Sequence, residues 1–272
     1  MTIKDAIVRA SKLLKGVCER PQYEAELLLA YQLKQDRTYL ITHDNDTVDI
    51  KKYDILIERR KNHEPYEYIV GIASFYDIHL DVEEGVLIPR PETEILIDLV
   101  ADIIEKENIT RIAEIGVGSG AISVVLARKF SNLHIIATDI CDKPIEITQI
   151  NINKYELADR VTVVKSNLLD EVYESVELVV SNPPYIAEDF LLDSSVVDFE
   201  PKEALFGGRV GDELLKQIII DVKKRDVTWL ACEMGYDQKE PIQAFVNEVG
   251  VKSIEFYKDL AGLDRGFIIE YR

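Results

Sequence analysis

The stretch Glu114-Ile115-Gly116-Val117-Gly118-Ser119-Gly120-Ala121 joins a predicted strand, Arg111–Ile115, to a predicted helix, Ala121–Phe130. Glycines at alternate positions let the backbone turn sharply from strand to helix and come close to a ligand. Asp139 closes the next predicted strand, His134–Asp139, where a carboxylate can accept both hydroxyls of a ribose. Gly116-x-Gly118-x-x-Ala121 followed by an acid fits a dinucleotide fingerprint, and it suits the nucleoside of S-adenosylmethionine equally well. The loop therefore marks a nucleotide site without choosing its occupant.

Outward from this loop, helix and strand alternate. Thr93–Lys106 predicts a helix before it. After it come helix Lys143–Tyr155, strands Val161–Lys165 and Leu178–Ser181, helix Asp212–Lys224, strand Thr228–Glu233 and helix Gln238–Val249. This alternation implies an α/β fold with a doubly wound, mostly parallel sheet. Strands Lys252–Tyr257 and Gly266–Tyr271 are linked too tightly for a parallel crossover, so the last strand is expected to run antiparallel. The N-terminal region reads differently. Ile3, Ala6, Ile7, Ala10, Leu13 and Leu14 share one helical face, Pro21 opens a helix running to Leu33, and Asp49–Lys61 predicts a third. Between Pro65 and Pro91, residues such as Tyr66, Tyr68, Ile69, Phe75, Ile78 and Leu80 suggest short strands or a hairpin. The expected organisation is a small helical bundle over residues 1–64, a linking β-hairpin over 65–91 and a sheet domain over 92–272.

The 272 residues are 47% hydrophobic and 30% charged, an ordinary globular balance. No apolar run approaches the length of a membrane span. The N-terminus, scattered with charge, lacks the apolar centre of a signal peptide, so a cytoplasmic protein with no membrane partner is expected. The net charge is −18; the first 75 residues balance twelve basic against twelve acidic side chains, so the remainder carries all of it. Duplex nucleic acid is bound mainly through Lys and Arg, and this balance argues against direct nucleic-acid binding. Cys18, Cys141 and Cys232 form no disulfide framework, and with the four histidines they show no metal-ligand spacing.

A second motif, Ser181-Asn182-Pro183-Pro184-Tyr185, follows the strand ending at Ser181. Neither proline can continue a sheet ladder, and their rigid φ angles fix where the carbonyls of Asn182 and Pro183 point. Asn182 adds an amide oxygen, giving two uncharged acceptors suited to both hydrogens of an –NH₂ group. Tyr185 supplies a flat wall for a planar amide or base. Such a nitrogen is too weakly basic to need a strong base. What it needs is orientation along the S–CH₃ bond of a sulfonium, and positioning of this kind contributes about 7–11 kcal/mol.

With these residues the chain resembles the release factor glutamine methyltransferases nearly end to end. The resemblance also rests on Pro65-Tyr66-Glu67-Tyr68-Ile69-Val70-Gly71, Ile88-Pro89-Arg90-Pro91-Glu92-Thr93-Glu94, Phe199-Glu200-Pro201, Ala204-Leu205-Phe206-Gly207-Gly208, Glu233-Met234-Gly235 and Lys258-Asp259-Leu260 with Asp264-Arg265. It implies a Rossmann-like class I methyltransferase that moves a methyl group from S-adenosylmethionine, leaving S-adenosylhomocysteine. The acceptor would be the glutamine amide nitrogen in the Gly-Gly-Gln loop of peptide chain release factors. By that resemblance, Gly116, Val117, Gly118, Ser119 and Gly120 hold the methionine part and Asp139 the ribose, and Glu114 also binds the cofactor. Asn167 and Leu168 lie near the adenine, Arg90, Glu92 and Thr93 line the pocket, and Asn182, Pro183, Pro184 and Tyr185 hold the glutamine amide. Asn167 stands where the family has an acid, and Asp77 replaces a commoner glycine.

The N-terminal bundle is expected to dock on the release factor, with the basic cluster Lys51, Lys52, Arg59, Arg60 and Lys61 either a docking face or a solvated one. Glu200 reads as a general base or as a structural clasp, and Cys141 as a wall residue. The enzyme is expected to be monomeric. A methyltransferase acting on the adenine amino group of DNA or RNA would use the same grip, but would need to hold phosphates and often to flip a base. A nicotinamide oxidoreductase leaves Asn182–Tyr185 unexplained, and an inactive cofactor-binding scaffold would not need them.

Overall fold

Five short helices occupy the N-terminal region: α1 (Ile3–Leu13), α2 (Pro21–Leu33), α3 (Arg37–Thr42), α4 (Lys51–Lys61) and α5 (Tyr66–Val70). The Thr2 hydroxyl caps α1 by accepting from the Asp5 N–H at 3.1 Å, and the Asp36 carboxylate caps α3 from the Tyr39 N–H at 2.7 Å. Ile3, Ala6, Ala10 and Leu14 of the first helical face bury against Leu28, Leu29, Tyr53 and Ile57. The Tyr53 hydroxyl is satisfied inside this core by donating to the Ala25 carbonyl at 2.8 Å. The bundle thus has two helices beyond the three expected. Helix α3 is too short to show a period. Tyr66–Val70, expected as extended chain, is a single helical turn that starts after Pro65 and stops at Gly71, whose φ is +75°. Its aromatic and β-branched residues read as strand because five residues carry no 3.6-residue period.

Residues 1–192 and 194–272 are described in this computed structural model. They fall into two units: Met1–Ile72 with a short segment ending at Phe199, and the remainder. A hairpin of β1 (Ile72–Phe75) and β2 (Ile78–Asp81) precedes α6 (Thr93–Glu107), β3 (Arg111–Ile115), α7 (Ala121–Lys129), β4 (His134–Asp139), α8 (Asp142–Lys154) and β5 (Val161–Lys165). Then follow β6 (Leu178–Ser181), β7 (Ile186–Ala187), α9 (Ser194–Val197), β8 (Phe206–Gly208), α10 (Glu213–Lys224), β9 (Trp229–Glu233), α11 (Lys239–Val249), β10 (Ser253–Lys258) and β11 (Asp264–Glu270).

The main sheet has seven strands in the order β10-β11-β9-β6-β3-β4-β5. All are parallel except β11, which runs against both neighbours, as the short link to β10 requires. One apolar layer, including Ile97, Ile112 and Leu126, covers one face, and a second, including Val179, Leu215, Ile218 and Phe267, covers the other. Burial on both faces explains why β6 reads as a continuous apolar run. From β3 the chain moves outward one way through β4 and β5, and the other way through β6 and β9. The order therefore switches between β3 and β6, and in such sheets ligands bind outside the carboxyl ends at the switch.

One feature absent from the expected elements is the small parallel pair β7 and β8 just beyond Asn182–Tyr185, in which the Ile186 N–H donates to the Leu205 carbonyl at 3.0 Å. At Gly207 an added Cβ would sit 2.4 Å from the Pro184 carbonyl oxygen. Only glycine lets this strand lie against the Pro-Pro segment.

Candidate active site

Strands β3 and β6 are neighbours with Ile115 opposite Ser181, and the Ser181 hydroxyl donates to the Ile115 carbonyl at 2.8 Å. The glycine loop and Asn182 therefore leave the sheet side by side. Gly116, Gly118 and Gly120 all have positive φ, at +74°, +57° and +81°. A Cβ at Gly116 or Gly118 would point into open space, so at these two positions the constraint is conformational and the bare backbone faces a void. The Asp139 carboxylate accepts from the N–H groups of Cys141 (3.0 Å) and Gly118 (3.3 Å). Burial pushes it above the usual carboxylate range against the pull of these donors.

A cleft of about 900 Å³, counted to its open mouth, brings together Gly116, Gly118, Asp139, Asn167, Leu168, Asn182, Pro183 and Pro184. Cys141 and Thr138 also line it, placing Cys141 in the wall. The other sequence-predicted residues lie outside this lining. Val117 and Ser119 are buried, and Gly120 packs toward Thr148. Glu114 is turned away beneath α7, where its carboxylate accepts from the Ser123 hydroxyl; burial pushes it up to about 8. Arg90 pairs with Glu200 at 2.6 Å, and Glu200 is almost wholly buried.

Thr93 and Tyr185 meet behind the cleft on Glu233, at the carboxyl end of β9. The Thr93 hydroxyl donates to one Glu233 oxygen at 2.8 Å and the Tyr185 hydroxyl to the other at 3.0 Å. The Asn182 amide Nδ2 donates to the Thr93 oxygen at 2.9 Å. Glu233 was not singled out from the sequence as a site residue. Its signal is an acid ending an otherwise apolar strand, Trp229-Leu230-Ala231-Cys232-Glu233.

Residues 5–71 match the PrmC N-terminal domain family and residues 92–197 the methyltransferase small domain family. A release factor glutamine methyltransferase of Clostridium botulinum is 38% identical, over 97% of this chain and 98% of that one. The chain belongs to the release factor glutamine methyltransferase family. Another member, from Dictyoglomus turgidum, is 39% identical over 97% of this chain and 96% of its own.

The fold of this methyltransferase recurs in solved structures of human METTL16. Its catalytic domain with the MAT2A 3'UTR hairpin 1 has a TM-score of 0.60 at 20% identity, covering 71% of this chain and 74% of that one. Its N-terminal domain in complex with SAH gives 0.54 at 22%, covering 71% and 75%. Members of the family draw their methyl group from S-adenosylmethionine, and the open glycine cradle beside a half-buried carboxylate fits that group. Asn167, exposed at the cleft edge, contacts the Asp170 carboxylate at 3.4 Å through Nδ2, so this position brings no charge of its own. The Asp77 carboxylate accepts from Arg128 at 3.1 Å.

In the N-terminal unit the basic cluster is largely neutralised. Arg59 pairs with Glu64, Arg60 with Glu24, and Lys61 with Glu58. Among the described residues no helix is long and apolar enough to cross a membrane.

Proposed function

We propose that this enzyme methylates the side-chain amide nitrogen of the glutamine in the Gly-Gly-Gln loop of peptide chain release factors. The observation that carries this is Asn182. With Nδ2 engaged by Thr93, its amide oxygen is the end left to face the cleft that Asn182 and Pro183 line beside the glycine cradle. S-adenosylmethionine, when bound, would supply an electrophilic methyl group on a sulfonium. The protein's part is placement. Gly116 and Gly118 offer backbone to the methionine part, Asp139 accepts from the ribose hydroxyls, and Leu168 gives an apolar wall near the base. The Asn182 Oδ1 and the Pro183 carbonyl accept the two amide hydrogens, aiming the nitrogen lone pair along the bond to be broken. The nitrogen's protons become acidic only as the methyl arrives, so neutral acceptors suffice, and the departing proton passes from this pair to solvent.

The helical bundle over residues 1–64 is the part we assign to docking on the release factor, with residues 65–91 as linker and 92–272 as the catalytic domain. We place the enzyme in the cytoplasm as a monomer. Incubation with a release factor and S-adenosylmethionine should add one methyl by intact-mass spectrometry, and none to a Gly-Gly-Glu variant of the factor. Asn182→Ala should cut turnover by roughly 10²–10³-fold with cofactor affinity retained. Near-normal turnover in that variant would rule out the amide grip.

A further inference from the structure

We infer that Thr93 and Glu233 form a relay that fixes which end of the Asn182 amide faces the substrate, and so makes the site select an –NH₂ group over an oxygen. The inference rests on the reading of Asn182 as the acceptor for the transferred amide.

An asparagine amide has nearly the same shape either way round, so packing does not choose between its oxygen and its nitrogen. The choice must come from hydrogen bonding, and here the directions follow one another. Glu233 is buried at the end of β9 and is met by a hydroxyl on each oxygen, Thr93 on one and Tyr185 on the other. Burial pushes its carboxyl above its ordinary value, opposed by the Thr93 and Tyr185 hydroxyls and by the positive charge of Arg265; the relay operates in the ionised form that these two donors favour. An ionised carboxylate only accepts. The single hydroxyl proton of Thr93 is thus committed to Glu233, and its oxygen is left as an acceptor. A group bonded to that oxygen must donate, and only the Nδ2 end of Asn182 can. The Oδ1 end is thereby turned toward the cleft.

A glutamine amide offers N–H donors to that oxygen, whereas an ionised glutamate carboxylate offers only lone pairs, which it repels. Thr93 owes its place to the Pro91 turn at the start of α6, where it is 4% exposed and its N–H donates to the Arg90 carbonyl at 3.0 Å. Glu233 and Thr93 are positioning residues, because neither lines the cleft.

The experiment compares wild type, Thr93→Val, Thr93→Ser and Glu233→Gln. For each, turnover on a release factor is measured together with the affinity for S-adenosylhomocysteine. The affinities for the Gly-Gly-Gln factor and its Gly-Gly-Glu variant are measured as well. Valine keeps the shape of threonine and loses the hydroxyl; serine keeps the hydroxyl and loses a methyl group. The relay predicts that Thr93→Val loses at least about tenfold in kcat with S-adenosylhomocysteine binding retained, while Thr93→Ser stays near wild type. It also predicts that preference for Gln over Glu falls at least about tenfold in Thr93→Val and in Glu233→Gln, because a freed amide can turn its N–H₂ toward a carboxylate.

A packing role would reverse the order of valine and serine and weaken both factors alike. Either outcome overturns the relay, as does a Glu233→Gln variant with unchanged preference if Thr93→Val does not fold. Failure of wild type to methylate the glutamine would instead remove the reading of Asn182 on which the relay rests.

Discussion

Glu114 shows how a residue of the nucleotide loop can act on stability without facing the cleft. Its carboxyl is buried, bonded by Ser123 and held up to about 8 by burial, with the nearby Asp139 charge adding to the rise. Its ordinary value in the unfolded chain is near 4.5. Between these values the folded state binds more proton than the unfolded one, so stability falls as pH rises through the window from about 4.5 to about 8. Glu114→Gln keeps the shape and removes the titration. Its melting temperature should exceed that of wild type at pH 8.5 by at least about 3 °C, with the gap closing toward pH 5. Melts followed by circular dichroism at the two pH values check this; a gap independent of pH would show that Glu114 stays ionised when folded.

Asn151 of α8 ties together three pieces of chain at the level of whole elements. Its Nδ2 donates to the carbonyls of Asp81 (3.0 Å) and Ser119 (2.9 Å), and its Oδ1 accepts from the Asp81 N–H at 2.8 Å. The hairpin strand β2, helix α8 and the glycine loop are thus held by one fully buried side chain. Asn151→Ala should cost about 3 kcal/mol by urea unfolding and weaken cofactor binding through the loosened loop. A loss below about 1 kcal/mol would mean that water replaces all three bonds. Such residues mark where the sequence stops being legible. The glycine loop and Asn182–Tyr185 could be read because local backbone chemistry gives them meaning within a few positions. Asn151 and Glu233 could not, since their partners lie 70 and 140 residues away. The periodic helices and apolar strands were recovered close to their ends for the same local reason. The single turn at Tyr66–Val70 and the two- and three-residue strands β7 and β8 were too short to carry a period.

Across the whole molecule, charge sets an expectation against nucleic acid as the acceptor. The chain carries −18, and the cations of the cluster on α4 are mostly spent on neighbouring carboxylates. Affinity for labelled duplex DNA or single-stranded RNA at physiological salt should be weaker than about 100 µM by fluorescence anisotropy. A micromolar affinity that collapses with added salt would bring the amino-adenine reading back. The sheet itself does not discriminate between these acceptors, and the pairing of Ile115 with Ser181 explains why. Neighbouring strands stand about 4.8 Å apart whatever their side chains, so the glycine loop and the Asn182 loop are spaced by a ruler made of backbone. Whatever lies beyond that ruler can vary while the reach from one loop to the other stays that of a single strand spacing.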